Sequence, residues 1–367
     1  MTLSTPLSFS FPEGISSSHL FKISINPDFI SQTQAKVETW RPPIGLWSEW
    51  TNEGPPLEQL KDITEYWKNK YDWSSIQTRM NQEVNHYATM IKREGDDKRG
   101  PKSSSLWSII LRRLSTLWLE ICQGLNLVQL QRRLFRIPTK TERSCSLMKQ
   151  LGYSKYGIVS TDLGWQISMC MVVDVQENII GHMTDFFPVI PDSDDLSRKA
   201  RNETTEEENV YLAAFNEWFT SHSACSEVHT QKPLALSLAF TDSPIGFLGW
   251  MWDLMNTSFD GYKYSYEELI TDAMILYIPG PYRNIRLYLE SLKPDKMSFP
   301  KSTVPTGVSE WGNGNGTFPE LASFQLAPRS WVERSANVAY FARHPSGRHF
   351  PAIAHPEEWV QDAQNFF

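Results

Sequence analysis

A chain of 367 residues can hold two ordinary domains or one large domain with insertions. Its 35 Lys and Arg against 42 Asp and Glu leave a formal charge of −7, which argues against a basic nucleic-acid-binding surface. Apolar residues at 40% and charged residues at 21% can fill a core and exclude general disorder.

The 14 Trp, 13 Tyr and 19 Phe either line a large apolar cavity or pack a core, and the count does not separate the two. Four cysteines (Cys122, Cys145, Cys170 and Cys225) show no CxxC spacing and give no disulfide framework for so long a chain. No apolar run approaches the roughly 18–20 residues that cross a bilayer. The opening MTLSTPLSFSFPEG lacks the basic start and apolar stretch of a secretory signal, so a soluble cytoplasmic protein is expected.

Residues 1–20, rich in Ser, Thr and Pro, read as a flexible arm. Phe21 to Ile25 alternates apolar and polar side chains, as a short half-buried strand does. Asn26-Pro27-Asp28 then turns into a helix that Arg41-Pro42-Pro43 breaks. Residues 55–70 form the clearest helix: Pro55 and Pro56 suit its first turn, and Leu57, Leu60, Ile63 and Trp67 make one apolar stripe. A second helix is expected from Gln77 to Asn85, and Lys92 to Lys102 reads as a charged linker or loop. From Trp107 to Phe135 the text is Leu- and Arg-rich; Ile110, Leu114, Leu117, Trp118 and Ile121 would share one face of an amphipathic helix.

Leu147 to Leu151 ends a helix that Gly152 stops. Tyr156 to Ser160 is a buried strand, Thr161-Asp162-Leu163 a tight corner, and Gly164 to Val175 the next helix. Residues 192–208 are acidic and expected to be exposed. Helices follow to about Leu292, broken at Pro244, Gly261 and Pro279-Gly280-Pro281. Gly312 to Gly316 reads as a flexible surface loop, since no strand-to-helix context makes it a phosphate cradle. A last helix starts at Pro356.

Ser160-Thr161-Asp162-Leu163-Gly164 fits small–x–nucleophile–x–small, the pattern of a corner too sharp for bulky neighbours. A carboxylate there needs no base to activate it, only a water-poor setting and an electrophilic carbon. The plain alternative is an Asp in an ordinary loop. Near the C-terminus, Gly347-Arg348-His349-Phe350-Pro351-Ala352 places a His on a Gly-bounded loop after a strand, in the order nucleophile, acid, His. A lone His is otherwise a satisfied surface residue, the reading that suits His86, His222, His344 and His355. The spacing of His344, His349 and His355 matches no standard ligand set, so no metal and no cofactor are expected.

These motifs resemble the microsomal-type epoxide hydrolases. Phe21 to Ile91 is similar to their N-terminal domain, above all in Ile25-Asn26-Pro27-Asp28 and in the run from Glu65 to Trp73. From Leu147 the resemblance continues through Leu151 to Gly157, the Asp162 corner, Gln231-Lys232-Pro233, Thr241 to Gly246, Arg286 to Glu290 and Gly347 to Ala352. It implies an α/β protein: an α/β-hydrolase core with a helical lid and an N-terminal epoxide hydrolase extension. The segments it implies are the arm at 1–20, the N-terminal domain at 21–92 and an atypical stretch at 93–140 replacing part of the core. They continue with a core bearing the nucleophile corner at 141–190, a mainly helical lid at 191–295 and a C-terminal core at 296–367.

The resemblance also assigns roles. Asp162 would attack the epoxide carbon, Tyr288 would donate a proton to the ring oxygen, and His349 would act as the general base. Glu320 would hold the imidazole, with Glu310 as runner-up, and the Leu163 N–H would face the oxyanion. The implied partners are a small apolar epoxide and water, with no nucleic acid and no transmembrane segment; a homodimer stays open.

The chain departs from that pattern at four places. Leu163 stands for Trp, Cys225 for a second lid Tyr and Arg348 for Gly, and nothing between Lys92 and Lys140 resembles the His-Gly-x-Pro loop that supplies the other half of the oxyanion hole. So sharp-edged a loss is what a retained intron or a shifted reading frame produces. Three functions therefore compete. The first is an epoxide hydrolase making a diol from a bulky apolar epoxide, in detoxification or secondary metabolism. The second is another Asp-nucleophile hydrolase such as a haloalkane dehalogenase, disfavoured by the N-terminal domain and Tyr288. The third is a hydrolase-like scaffold that binds a metabolite or partner without catalysis.

Overall fold

The computed structural model describes residues 19–45, 49–51, 53–91, 105–109, 111–114, 117–120, 145–258, 260–292 and 297–367. The chain enters through strand β1 (His19–Phe21). Beyond it Ile23 and Ile25 are buried as the alternation predicts, yet they are not strand residues. Their N–H groups donate to Asn81 Oδ1 and Gln77 Oε1, both at 2.8 Å, so helix side chains take the place of a neighbouring strand.

Helix α1 (Pro27–Glu38) starts where Asn26 accepts the Asp28 N–H at 2.9 Å and Pro27 has no N–H to leave unpaired. In α2 (Leu57–Asn69) the stripe faces inward: Leu60, Ile63 and Trp67 are buried and Leu57 half-buried. Helix α3 (Trp73–Glu83) begins four residues earlier than expected because Asp72 accepts the N–H groups of Ser74 and Ser75.

Strand β2 (His86–Ile91) pairs antiparallel with β1 and with β3 (Ser105–Ile109), while β4 (Leu111–Leu114) pairs with β5 (Leu117–Glu120). The described part of the Trp107–Phe135 stretch is thus extended, which corrects the expected helix. Over runs of four or five residues the same Leu spacing suits a period of two as well as one of 3.6. Ile110, residues 121–135 and the Lys92–Lys102 loop lie outside the described residues.

Four parallel strands form the third sheet: β6 (Tyr156–Ser160), β7 (Ile179–Thr184), β8 (Pro305–Trp311) and β9 (Asn337–His344), in that order. Residues 145–150 are helical ahead of β6, with Gly152 at φ +87 just after them. Helix α4 (Asp162–Asp174) connects β6 to β7 and buries Trp165, Met169 and Val172 against Val308 and Trp331.

All the helices between β7 and β8 form one insertion: α5 (Ser193–Ala200), α6 (Glu206–Glu217), α7 (Ala224–Gln231), α8 (Pro233–Asp242), α9 (Pro244–Ser258), α10 (Tyr266–Tyr277) and α11 (Pro281–Ser291). Its breaks fall where the sequence places them: α9 opens at Pro244, and Gly261 and Gly280 adopt positive φ. Ile63 and Trp67 of α2 share one apolar cluster with Leu248, Ile270 and Met274, which seats the N-terminal helices on this insertion. The C-terminal helix α12 (Pro356–Phe366) reaches back to the sheet, where a Cβ on Gly307 would meet Met183 Sδ and Phe366 Cγ at 2.7 Å. No helix among the described residues is long and apolar enough to cross a membrane.

Residues 192–208 are mostly exposed, with two exceptions. Asp195 and Glu208 are buried, because each closes a capping box and also takes an arginine. Arg334 donates to Asp195 at 2.7 and 2.8 Å, and Arg198 to Glu208 at 2.8 and 2.9 Å. The Gly312 to Gly316 loop is also corrected. Gly312 and Asn313 are buried, their N–H groups donating to the carbonyls of His344 and Ala322, and only Gly314 and Asn315 reach solvent fully.

Glu208 also accepts the Trp331 indole N–H at 2.9 Å. The Arg198 hydrogen bonds outweigh burial and hold its carboxyl down at about 2. Glu208→Gln should therefore cost about 2–3 kcal/mol at neutral pH, read by urea unfolding. Because the folded pKa is depressed, that stabilisation is complete above the ordinary carboxylate range and fades as pH falls toward about 2. The gap between wild type and variant should close over that interval; a constant gap contradicts the assignment.

Candidate active site

Strand β6 ends at Ser160 and α4 begins at Asp162, leaving Thr161 alone to make the turn. Asp162 accordingly sits at φ +46, in the left-handed region that side chains rarely occupy. Ser160 Cβ lies 3.7 Å from where a Cβ on Gly164 would stand, so two small residues meet across the corner. Half of the Asp162 side chain (52%) is exposed. Burial pushes its carboxyl up, but the His349 hydrogen bond and charge and the Leu163 N–H outweigh it. The carboxyl stays below its usual range, ionised at neutral pH.

His349 comes from the loop after β9, and its Nε2 lies 3.4 Å from Asp162 Oδ1. The loop is tied at three successive N–H groups: Gly347 donates to Asp260 Oδ2 at 2.8 Å, Arg348 to the Gly312 carbonyl at 3.0 Å and His349 to the Ser258 carbonyl at 3.1 Å. Gly347 and Arg348 both take positive φ, +122 and +50. Arg348, 2% exposed, fits where the resemblance expects Gly because its guanidinium finds partners inside. It donates to the Leu321 carbonyl at 3.2 Å and, with the Asn313 amide turned, to that oxygen at 2.7 Å. Phe186 and Phe350 stand edge-on to the imidazole at 4.8 and 4.4 Å.

Tyr288 on α11 joins the same space. Burial, the Asp162 carboxylate and Cys225 push its phenol well above the ordinary range, so the hydroxyl keeps its proton and can only give it up to a developing anion. Its ring packs edge-on against His229 at 4.6 Å. Cys225 is a buried free thiol, pushed up by burial.

The acid partner is where sequence and structure part. Glu320 stands on a short turn, Pro319–Leu321, and its carboxylate lies 3.2 Å from His222 Nε2. Glu310 is buried near the end of β8 and pairs with Arg343 at 2.7 Å; burial still pushes it up to about 8. Neither bonds His349, which corrects both candidates. The imidazole Nδ1 faces the Gln325 amide at 2.7 Å instead. The Gln325 amide nitrogen donates to Nδ1, which leaves the hydrogen on Nε2 toward Asp162, and the buried Gln325 Oε1 has no hydrogen-bond partner among the described residues.

Gln325 lies five residues beyond Glu320 and carries no sequence signal of its own. Asp185, one residue past the strand that pairs with β6, also lies at the end of the sheet where sites of this fold are built, a position no local pattern signals. The 92–140 stretch, where the resemblance expects a second oxyanion donor, is described only in the β3–β5 backbone.

A parallel sheet, a charged residue on a strained strand–helix corner, a facing His loop and a helical insertion over both define an α/β-hydrolase fold. Comparison with known proteins agrees. Residues 18–100 match the family model described as Epoxide hydrolase N terminus. Juvenile hormone epoxide hydrolase 2 of Ctenocephalides felis is 26% identical over 241 residues, 59% of this chain and 50% of that protein. The chain thus aligns with about half the length of this relative. Among solved structures, juvenile hormone epoxide hydrolase from the silkworm Bombyx mori superposes with a TM-score of 0.78 at 16% identity, covering 95% of this chain and 94% of that one. The Aspergillus niger epoxide hydrolase gives 0.73 at 18%, covering 97% and 98%. The comparisons thus show an epoxide hydrolase N-terminal segment over residues 18–100 and a fold shared with solved epoxide hydrolases.

Gly347 allows a direct test of the loop. A Cβ there would stand 2.4 Å from the Trp311 ring, whereas one on Gly152, also at positive φ, would meet nothing within 4 Å. Gly152→Ala should cost about 1 kcal/mol of backbone strain, and Gly347→Ala about 3 kcal/mol or more. Thermal unfolding compares them, and equal losses contradict the packing described.

Proposed function

We propose that the protein is an epoxide hydrolase that converts a bulky apolar epoxide to a diol through an ester on Asp162. The observation that carries this reading is one carboxylate held ionised between a imidazole 3.4 Å away and a phenol whose proton it helps to retain. In it, an Asp162 oxygen attacks a ring carbon, the carbon–oxygen bond breaks, and Tyr288 protonates the leaving oxygen. His349 then takes a proton from water as the water oxygen adds to the ester carbonyl, with the Leu163 N–H positioned for the developing oxyanion. Collapse releases the diol and restores the carboxylate, and the imidazolium returns its proton to the Tyr288 phenolate.

Residues 191–295 act as the lid in this reading, and the aromatic rings of Phe186 and Phe350 beside the imidazole favour an apolar substrate. The setting we propose is cytoplasmic, in detoxification or secondary metabolism. The matched N-terminal segment and Tyr288 weigh against a haloalkane dehalogenase. A binding scaffold without turnover is the second reading, favoured by the neutral Gln325 where an acid is expected.

Intact-protein mass spectrometry with a panel of aryl and terpenoid epoxides tests the proposal. His349→Ala should accumulate protein carrying one added substrate mass, and Asp162→Ala should carry none. Equal adducts on both variants would remove Asp162 from the chemistry, and no adduct or turnover across the panel would leave the scaffold.

A further inference from the structure

Gln325 can fix the tautomer of His349 but cannot balance charge. Once His349 has taken a proton from water, the imidazolium is a cation in a largely enclosed site, and its two closest ring neighbours are phenyl groups. An anion must lie near enough to favour that state, and Asp162 is then an ester. We propose that Asp185 is this charge partner: a positioning residue, absent from the ordinary triad, whose carboxylate stabilises protonated His349 while the ester is hydrolysed. The proposal rests on the hydrolase reading above.

Topology brings Asp185 there. Thr184, its predecessor, pairs with Ser160 across the parallel β6–β7 ladder, and the Asp185 N–H reaches the Ser160 carbonyl at 3.4 Å. Asp185 therefore stands beside the nucleophile corner. Thr161 links the two groups: its side chain hydrogen-bonds toward the Asp185 carboxylate and its hydroxyl lies 3.4 Å from the His349 carbonyl. The next residue, Phe186, supplies the ring packed edge-on against the imidazole.

The carboxylate is only half used by structural duties. Asp185 is 5% exposed, and its Oδ2 accepts the Trp359 indole N–H of α12 at 2.7 Å. Its Oδ1 is buried without a well-formed hydrogen bond, and no Lys or Arg among the described residues pairs with it. A neutral amide oxygen would also accept the Trp359 N–H, so the anchor alone does not require a buried charge. Burial pushes this carboxyl up to about 6, opposed by Thr161, by Trp359 and by the charge of His349. The corner also carries Asp162, but the charge that acts on Asp185 is that of His349. Asp185 takes no proton in the cycle; the proton moves from water to His349 and on to Tyr288.

Two readouts on the full chain test the pairing. Carboxyl NMR should show Asp185 titrating near pH 6, and His349→Gln should move that midpoint upward because the facing cation is lost. In single turnovers, Asp185→Asn should leave ester formation unchanged and slow ester hydrolysis about tenfold or more, while Trp359→Phe, which removes the anchor and keeps the charge, should not. An Asp185 titration indifferent to His349→Gln overturns the proposal, as does equal slowing by Asp185→Asn and Trp359→Phe. If the titration responds but no variant ever forms an adduct, the pairing stands and the hydrolase reading falls.

Discussion

His349 and Asp162 have to meet from the first and last of the four parallel strands described. The Asp162 corner follows β6 and the His loop follows β9, three strand spacings or about 14 Å away. The loop must cross the ends of β8 and β7 to bring Nε2 within 3.4 Å of the carboxylate. Much of the C-terminal third is arranged to hold that reach. The turn after β8 fixes Arg348, the last residues of α9 fix His349, and Asp260 grips both the Asn315 and Gly347 N–H groups. Positive φ at Asp162, Gly347 and Arg348 is the local cost of bringing the two ends together.

With the two ends joined, the enclosed space sets different protonation states on neighbouring groups. Burial alone would neutralise every acid in it. Asp162 escapes through the imidazole and the Leu163 N–H, Tyr288 does not, and Asp185 falls between. An ionised carboxylate, a protonated phenol and a carboxyl of intermediate acidity arise from the same burial with different partners. Gln325 adds a neutral contact on the imidazole Nδ1.

Local signals were legible where local chemistry decides. Asn26 and Pro27, the α2 stripe, the small residues around Asp162 and the Gly-bounded His loop all act over a few residues and appear as expected. The failures concern partners far apart in sequence. Asp195 and Glu208 look like surface acids until Arg334 and Trp331 arrive from more than a hundred residues away. Gly312 and Asn313 look like a free loop until the turn after β9 packs on them. Glu320 has the right residue type and place in the chain, but a single short turn points it to His222 and leaves Gln325 at the imidazole. Ile23 and Ile25 show the subtler case: burial follows the alternation, while the backbone bonds go to helix side chains.

Everything in this account rests on an enzyme-derived oxygen entering the product. With enzyme in excess over epoxide in water enriched in oxygen-18, the first-turnover diol should be unlabelled and the peptide containing Asp162 should gain one heavy oxygen. Label in that diol, with none in the peptide, would mean that water attacks the ring directly and would contradict the account.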